Sequence, residues 1–181
     1  MFMSLKLLKL RWRIFLWTLN GKIKSLRSRL KLHLSPGNPQ KILIIFPMDE
    51  PSFRVALYTF RDLGKSSQRN RNYFFVVRKQ FEELFHLQYG NSIFINNTDE
   101  QSPLPDESYL QRNLQHHHFD IIVDLNPEFY LGVARLISSL NGNMKVGFTS
   151  KFADKFYNVQ LDISKTGIME KAFNQVNLIL T

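Results

Sequence analysis

The chain has 181 residues, no cysteine and a formal net charge of +9. The lack of cysteine excludes disulfides, thiolate nucleophiles and zinc–sulfur sites. Nine of the 24 lysines and arginines precede residue 32, no acid precedes Asp49, and the remaining cations and acids balance at 15 each. The sequence therefore divides into a basic leader and a formally neutral body, and each part needs its own explanation.

Residues 1–34 are predicted to form a basic amphipathic helix. Apolar residues recur there at steps of three and four, which makes one stripe along a helix: Leu5, Leu8, Trp12, Phe15, Leu19, Ile23, Leu26 and Leu30. Gly21 weakens the middle by roughly 1 kcal/mol relative to alanine, so two shorter helices also fit the pattern. The uncharged runs fall far below the ~20 apolar residues that span a bilayer. Interrupting charges also argue against a secretory signal peptide.

The leader fits three kinds of partner. An in-plane membrane helix suits aromatic residues on one face and cations beside it. The same stripe would also suit docking on the body or on a partner protein, with the charges solvated. Nucleic acid is not favoured, because the aromatic residues lie inside the apolar stripe instead of among the basic residues. The expected binding residues are Lys6, Lys9, Arg11, Trp12, Arg13, Phe15, Lys24 and Arg27.

Residues 35–40 are predicted to form a linker, because two prolines and a glycine cannot continue a helix. Residues 41–181 are predicted to form one α/β domain. Its apolar runs are short, which is typical of parallel strands covered on both faces: 41–46, 73–77, 92–95, 119–125 and 145–148. Helical patterns lie between and after them, at 53–60, 81–85, 106–114, 129–140 and about 168–180. This alternation predicts a doubly wound, Rossmann-like fold with a mainly parallel sheet.

Candidate chemistry lies in two loops at the expected carboxyl edge of the sheet, where open α/β sheets bind ligands. After the first strand, Asp49 and Glu50 could act as a base or hold a cation, and Ser52 could bind a ligand. Alternatively, Asp49 or Ser52 could only cap the next helix. After the fourth strand, Asp124 and Glu128 could face a ligand. Asn126 could bind there too, or cap a helix with Pro127 at its first position.

We expect no metal and no cofactor. Three consecutive histidines, 116–118, would point about 100° apart on a helix and could not chelate one ion together, so a solvated helix end is the expected setting. Neither loop has the glycine pattern of a phosphate cradle.

Four segments follow one another in a characteristic order: KILII (41–45), FDIIVDLN (119–126), the helix at 129–140 and KVGF (145–148). With them, the order of elements from residue 41 to about 162 resembles the N-terminal domain of the family 9 glycosyltransferases, the lipopolysaccharide heptosyltransferases. The resemblance implies one Rossmann-like half of a GT-B enzyme. It further implies transfer of heptose from an ADP-sugar to a lipid-linked sugar acceptor at the inner face of the cytoplasmic membrane.

The chain departs from that family in two respects. Alignment on KILII puts Pro51 and Ser52 where the family has a Gly-Asp pair, whose Asp is the presumed base, and a serine cannot act as a carboxylate base. The sequence also ends at Thr181, about where the linker to the donor domain would begin.

These departures predict a catalytically degenerate relative, a cytoplasmic pseudoenzyme that binds the inner membrane surface as an accessory module. One alternative is the acceptor-binding half of an active enzyme completed by another chain, with Asp49 or Glu50 as base. Another is a structural subunit docked through its leader helix.

Overall fold

The computed structural model describes residues 5–21, 23, 41–63, 71–96, 104, 107–163 and 169–180. Within them six strands form one all-parallel sheet in the order β3-β2-β1-β4-β5-β6. The strands are β1 (Lys41–Ile45), β2 (Asn72–Arg78), β3 (Asn91–Ile95), β4 (His118–Asp124), β5 (Asn141–Phe148) and β6 (Val159–Leu161). The helices are α1 (Leu5–Leu19), α2 (Glu50–Phe60), α3 (Glu107–Leu114), α4 (Leu131–Ser139) and α5 (Met169–Leu180). The predicted α/β, Rossmann-like fold is thereby confirmed.

The central strand β1 shows why its sequence is a continuous apolar run. Ile42 and Ile44 point into one core and Leu43 and Ile45 into the other, and all four are completely buried. Because successive strand residues face opposite sides, burial on both faces requires apolar residues at every position. Helices α2 and α5 cover one face, whereas α3, α4 and α1 cover the other.

Three elements differ from the sequence prediction. Strand β5 begins at Asn141, four residues before the predicted run at 145–148, because its first four residues are exposed or half-buried and form no apolar run. The pattern at 81–85 forms a 3₁₀ helix, Lys79–Leu84, in place of an α-helix. Its apolar pattern covers little more than one turn, and a short 3₁₀ segment is sufficient to bury Phe81. Strand β6 was not predicted, because an edge strand of three half-buried residues has no apolar run to reveal it.

The leader contributes helix α1, which ends where the sequence suggested a break. Gly21 has a φ of +65° and donates its N–H to the Thr18 carbonyl at 3.2 Å. A left-handed glycine just beyond the last turn is a common helix stop. Apart from Ile23, the rest of the predicted leader helix, with Lys24 and Arg27, and the linker at 35–40 lie outside the described residues.

Helix α1 packs on the body through a different face from the predicted stripe. Ile14 is buried in the core cluster that includes α4, and Leu7, Leu10 and Trp17 pack against that cluster. The Arg135 guanidinium of α4 lies over the Trp17 ring, 4.5 Å from its centroid. The helix therefore has two apolar faces, of which the body covers only one.

Candidate functional site at the carboxyl edge of the sheet

The carboxyl edge of the sheet has a topological switch point between β1 and β4. From β1 the chain proceeds to β2 on one side, and from β4 it proceeds to β5 on the other. In open α/β sheets ligands bind in the crevice that such a reversal opens. The loops that follow β1 and β4 carry the candidate residues Asp49, Glu50, Asp124, Asn126 and Glu128.

Hydrogen bonds link the loops on the two sides of this switch point. The backbone N–H of Met48, after β1, donates to Asn126 Oδ1, after β4, at 2.8 Å. Asn126 in turn donates to Asp124 Oδ1 through its backbone N–H (3.0 Å) and its Nδ2 (2.6 Å). Arg78 Nη1, at the end of β2, donates to the Met48 carbonyl at 2.7 Å. These bonds join the ends of three adjacent strands.

Tyr157 completes this network, which we call the edge network: Arg78, Met48, Asp124, Asn126 and Tyr157. The Tyr157 hydroxyl donates to Asp124 Oδ2 at 2.5 Å. Asp124 is 3% exposed and Tyr157 5% exposed, so the pair is screened from water. Both oxygens of Asp124 thus accept hydrogen bonds, three in all, from groups of this chain.

Burial governs the ionisation of this pair. It raises the pKa of Asp124, and the hydrogen bonds from Tyr157 and Asn126 offset only part of that rise. Burial also raises the pKa of Tyr157 well above its ordinary value, and the neighbouring carboxyl adds to the effect. A carboxyl in these surroundings is disfavoured as an anion and has no open oxygen toward a substrate.

The backbone of β5 explains how Tyr157 reaches Asp124. A Cβ on Gly147, the glycine of KVGF, would lie 2.7–2.8 Å from three carbons of the Tyr157 ring. The ring therefore packs on bare backbone. Asn158 fixes the following turn, since its Oδ1 accepts from the Lys145 N–H at 2.6 Å and its N–H donates to the Lys145 carbonyl at 3.0 Å.

The two candidate bases after β1 have structural partners. Asp49 is the N-cap of α2, and its Oδ1 accepts from the N–H of Ser52 at 2.9 Å. This confirms the capping interpretation of Asp49. Glu50 is exposed and pairs with Arg54 one turn later, with 2.7 Å between Oε1 and Nη2. Ser52 is buried in the first turn of α2.

The capping interpretation of Asn126 is wrong. Helix α4 begins at Leu131 with Tyr130 as its N-cap residue, so Asn126 lies too far upstream to cap it. The side chain of Asn126 instead bridges the two loops, as described above. Glu128 lies in the exposed part of the same loop.

The three histidines lie in and after the turn that leads from α3 into β4. His117 packs between the rings of Phe74 and Phe119, with centroid distances of 4.7 and 5.8 Å, and partial burial lowers its pKa. His118 Nε2 lies 3.1 Å from Asn143 Oδ1, and His116 is exposed. Among the described residues, no group of three or more histidine, aspartate or glutamate side chains is arranged to hold a metal ion.

A second candidate surface is the outward face of α1, which we call the outer stripe: Leu5, Leu8, Trp12, Phe15, Leu16 and Leu19. Trp12 is 63% exposed, and its ring lies 5.9 Å from that of Phe15. Lys6, Lys9, Arg11 and Arg13 are exposed on the same helix. None of the described helices has the length and hydropathy to cross a membrane.

No protein-family model and no curated protein matches this sequence. Solved structures match its fold. The chain is similar to E. coli heptosyltransferase WaaC with ADP (TM-score 0.54, 17% identity, 75% of this chain and 45% of that one). It is also similar to the same enzyme with ADP-2-deoxy-2-fluoro heptose (0.57, 16%, 76% and 47%). A third match is the glycosyl transferase family 9 protein from Veillonella parvula DSM 2008 (0.58, 10%, 76% and 41%).

At sequence identities of 10–17%, the likeness to these structures shows the fold alone. The chain spans less than half the length of each of these solved structures. The likeness agrees with the Rossmann-like fold that the sequence resemblance implied.

Proposed function

We propose that this chain is a glycosyltransferase family 9-like domain that acts as a non-catalytic binding or accessory module on an anionic membrane surface. The observation that carries the non-catalytic part is the edge network. Asp124, a carboxylate at the switch point, is buried and accepts three internal hydrogen bonds. A general base must come within hydrogen-bond reach of the proton it removes, and this carboxyl would first have to lose its partners.

The loop after β1 supports the same conclusion. The position aligned with the family's presumed base is Ser52, whose backbone is bonded to the helix cap and whose side chain is buried. The carboxylate of Asp49 caps the first turn of α2, so one of its oxygens is already hydrogen-bonded within this chain. A serine hydroxyl is not a carboxylate base, so Ser52 does not supply the group that would remove the proton of an acceptor.

The test combines calorimetry with a transferase assay. The isolated chain is titrated with ADP and with ADP-heptose, and heptose transfer to a lipid-linked sugar acceptor is followed by mass spectrometry. We expect no turnover above the rate without protein. Sustained turnover by the isolated chain would refute the non-catalytic role, and its loss in Asp49→Asn but not in Ser52→Ala would assign the base to Asp49.

One observation favours a second candidate, the acceptor-binding half of an enzyme completed by another chain. Glu50 is exposed, and Asp49 is partly exposed, beside the switch point. Assay of the chain together with a separately expressed donor-side domain tests this. Activity that Asp49→Asn plus Glu50→Gln abolishes would support it, because both changes remove a base while Asn preserves the cap.

The outer stripe supports the membrane part. Large apolar side chains project from α1 beside four described cations, and each cation near an anionic leaflet contributes about 1 kcal/mol. Trp and Phe are suited to the boundary between headgroups and acyl chains. The proposal includes a peripheral position on the inner face of the cytoplasmic membrane and a lipid-linked sugar as a candidate ligand.

Flotation with vesicles of phosphatidylcholine and phosphatidylglycerol tests lipid binding. We expect binding that weakens with salt and is lost in Trp12→Ser plus Phe15→Ser. Leu178→Ser is the control, because Leu178 is an apolar residue on α5 that is more exposed than Trp12 or Phe15. No vesicle binding, together with concentration-dependent self-association or co-purification of a protein partner, would favour the structural-subunit alternative.

A further inference from the structure

We infer that α1 binds lipid as a preformed helix that remains packed on the body. Binding would then fix the orientation of the sheet relative to the membrane surface. This inference rests on the proposed membrane role and adds the geometry of attachment. It commits to one occupant of the outer stripe, an anionic lipid surface. The exposed cations Lys6, Lys9, Arg11 and Arg13, in a helix without an acidic residue, supply the charge complementarity.

The two apolar faces of α1 lie on opposite sides of the helix. At about 100° per residue, Leu7, Leu10, Ile14 and Trp17 centre on one side, and the outer stripe centres on the other. Burial follows the same division. Ile14 is 2% exposed, whereas Leu5 and Leu19 are 76% and 67% exposed. One helix can therefore contact the body and a lipid surface at the same time.

The inner face of α1, which carries Leu7, Leu10, Ile14 and Trp17, contacts the body at several residues. Ile14 lies within the buried core cluster, and Trp17 packs against that cluster beneath the Arg135 guanidinium. Ile23, just beyond the turn at Gly21, is buried in the same cluster. A helix of 15 residues is marginal alone in water, so these contacts account for its formation before any lipid is present.

The packing of α1 on the body determines which face of the sheet turns toward the membrane. Helix α1 lies on the face of the sheet that carries α3 and α4. With the outer stripe in the headgroup region, that face turns toward the lipid, and the face covered by α2 and α5 turns away from it. A leader that unfolded from the body to reach the membrane would impose no such orientation.

The chain's two tryptophans report the two faces separately, because Trp12 is in the outer stripe and Trp17 is on the inner face. Trp17→Phe leaves only Trp12, and Trp12→Phe leaves only Trp17. Both full-length variants are mixed with phosphatidylglycerol-containing vesicles whose acyl chains carry bromine, a quencher that acts at contact. Helix content is followed in parallel by far-UV circular dichroism.

We expect Trp12 to lose about half of its fluorescence on binding, Trp17 to change little, and helix content not to fall. Quenching of both tryptophans, or of Trp17 alone, would contradict the attachment of α1 to the body while leaving membrane binding intact. A fall in helix content on binding would also contradict it, because α1 would then have unfolded. Absence of vesicle binding, or a blue shift of Trp12 caused by self-association without vesicles, would overturn the membrane role itself.

Discussion

Removal of the Tyr157 hydroxyl tests the edge network directly. In Tyr157→Phe the ring still packs on Gly147, but Asp124 Oδ2 loses the donor that lies 2.5 Å away. Asp124 is almost fully buried, so water does not replace the hydroxyl without rearrangement. Leaving a buried polar group without its hydrogen-bond partner costs about 1–3 kcal/mol. We therefore expect a loss of about 2 kcal/mol.

Urea denaturation followed by circular dichroism measures this loss as a shift in midpoint at constant slope. For a chain of this length, about 2 kcal/mol corresponds to a drop of roughly 4–8 °C in Tm. Tyr109→Phe is the matched control, because the Tyr109 side chain on α3 is half exposed and its change should stay within about 0.5 kcal/mol. If the two variants were equally stable, the Tyr157–Asp124 bond would contribute nothing and the reasoning would fail.

Three further predictions concern the same edge of the sheet. Gly147→Ala should lower the free energy of unfolding in urea by about 1–3 kcal/mol, because its Cβ would overlap the Tyr157 ring. The control Gly142→Ala should cost less, since its Cβ meets mainly the end of a flexible isoleucine side chain. Equal losses in the two variants would contradict this prediction. Asp124→Asn should gain stability relative to the natural chain as pH rises from about 4 to 8. Because the pKa of Asp124 is raised in the folded state, Asp124 stabilises the fold fully only below its unfolded pKa of about 3.9. That contribution is lost as pH rises through the folded-state pKa. A stability difference between the two proteins that did not change with pH would argue against the raised pKa. Asp49→Ala should cost about 0.5–2 kcal/mol and Asp49→Asn much less, as expected for a helix cap; similar costs for the two would exclude that role.

The sequence predicted the sheet well because its strands are buried on both faces. The runs at 41–46 and 119–125 correspond to β1 and β4 within one residue at each end. Elements with weaker apolar signals were missed or misassigned. Strand β6 has three half-buried residues, and the 3₁₀ helix at 79–84 buries only Phe81. Local periodicity does not distinguish such short elements.

The candidate site was predicted only in part. Asp124 and Asn126 could be found because each follows an apolar run, and parallel strands bring their carboxyl ends to one edge. Tyr157 could not be found in this way, since it reaches Asp124 from a turn 33 residues later. Its one sequence signal was Gly147, a glycine inside a buried strand, which indicates that another group approaches the backbone closely.

Helix α1 also shields part of the body from water. Ile14 and Ile23 complete a core cluster that contains residues of α4 and of the sheet. A protein trimmed to begin at residue 41 would uncover that apolar surface and would be expected to lose solubility whether or not lipid matters. Trimming therefore cannot separate an anchoring role from a folding role, whereas polar replacements confined to the outer stripe can.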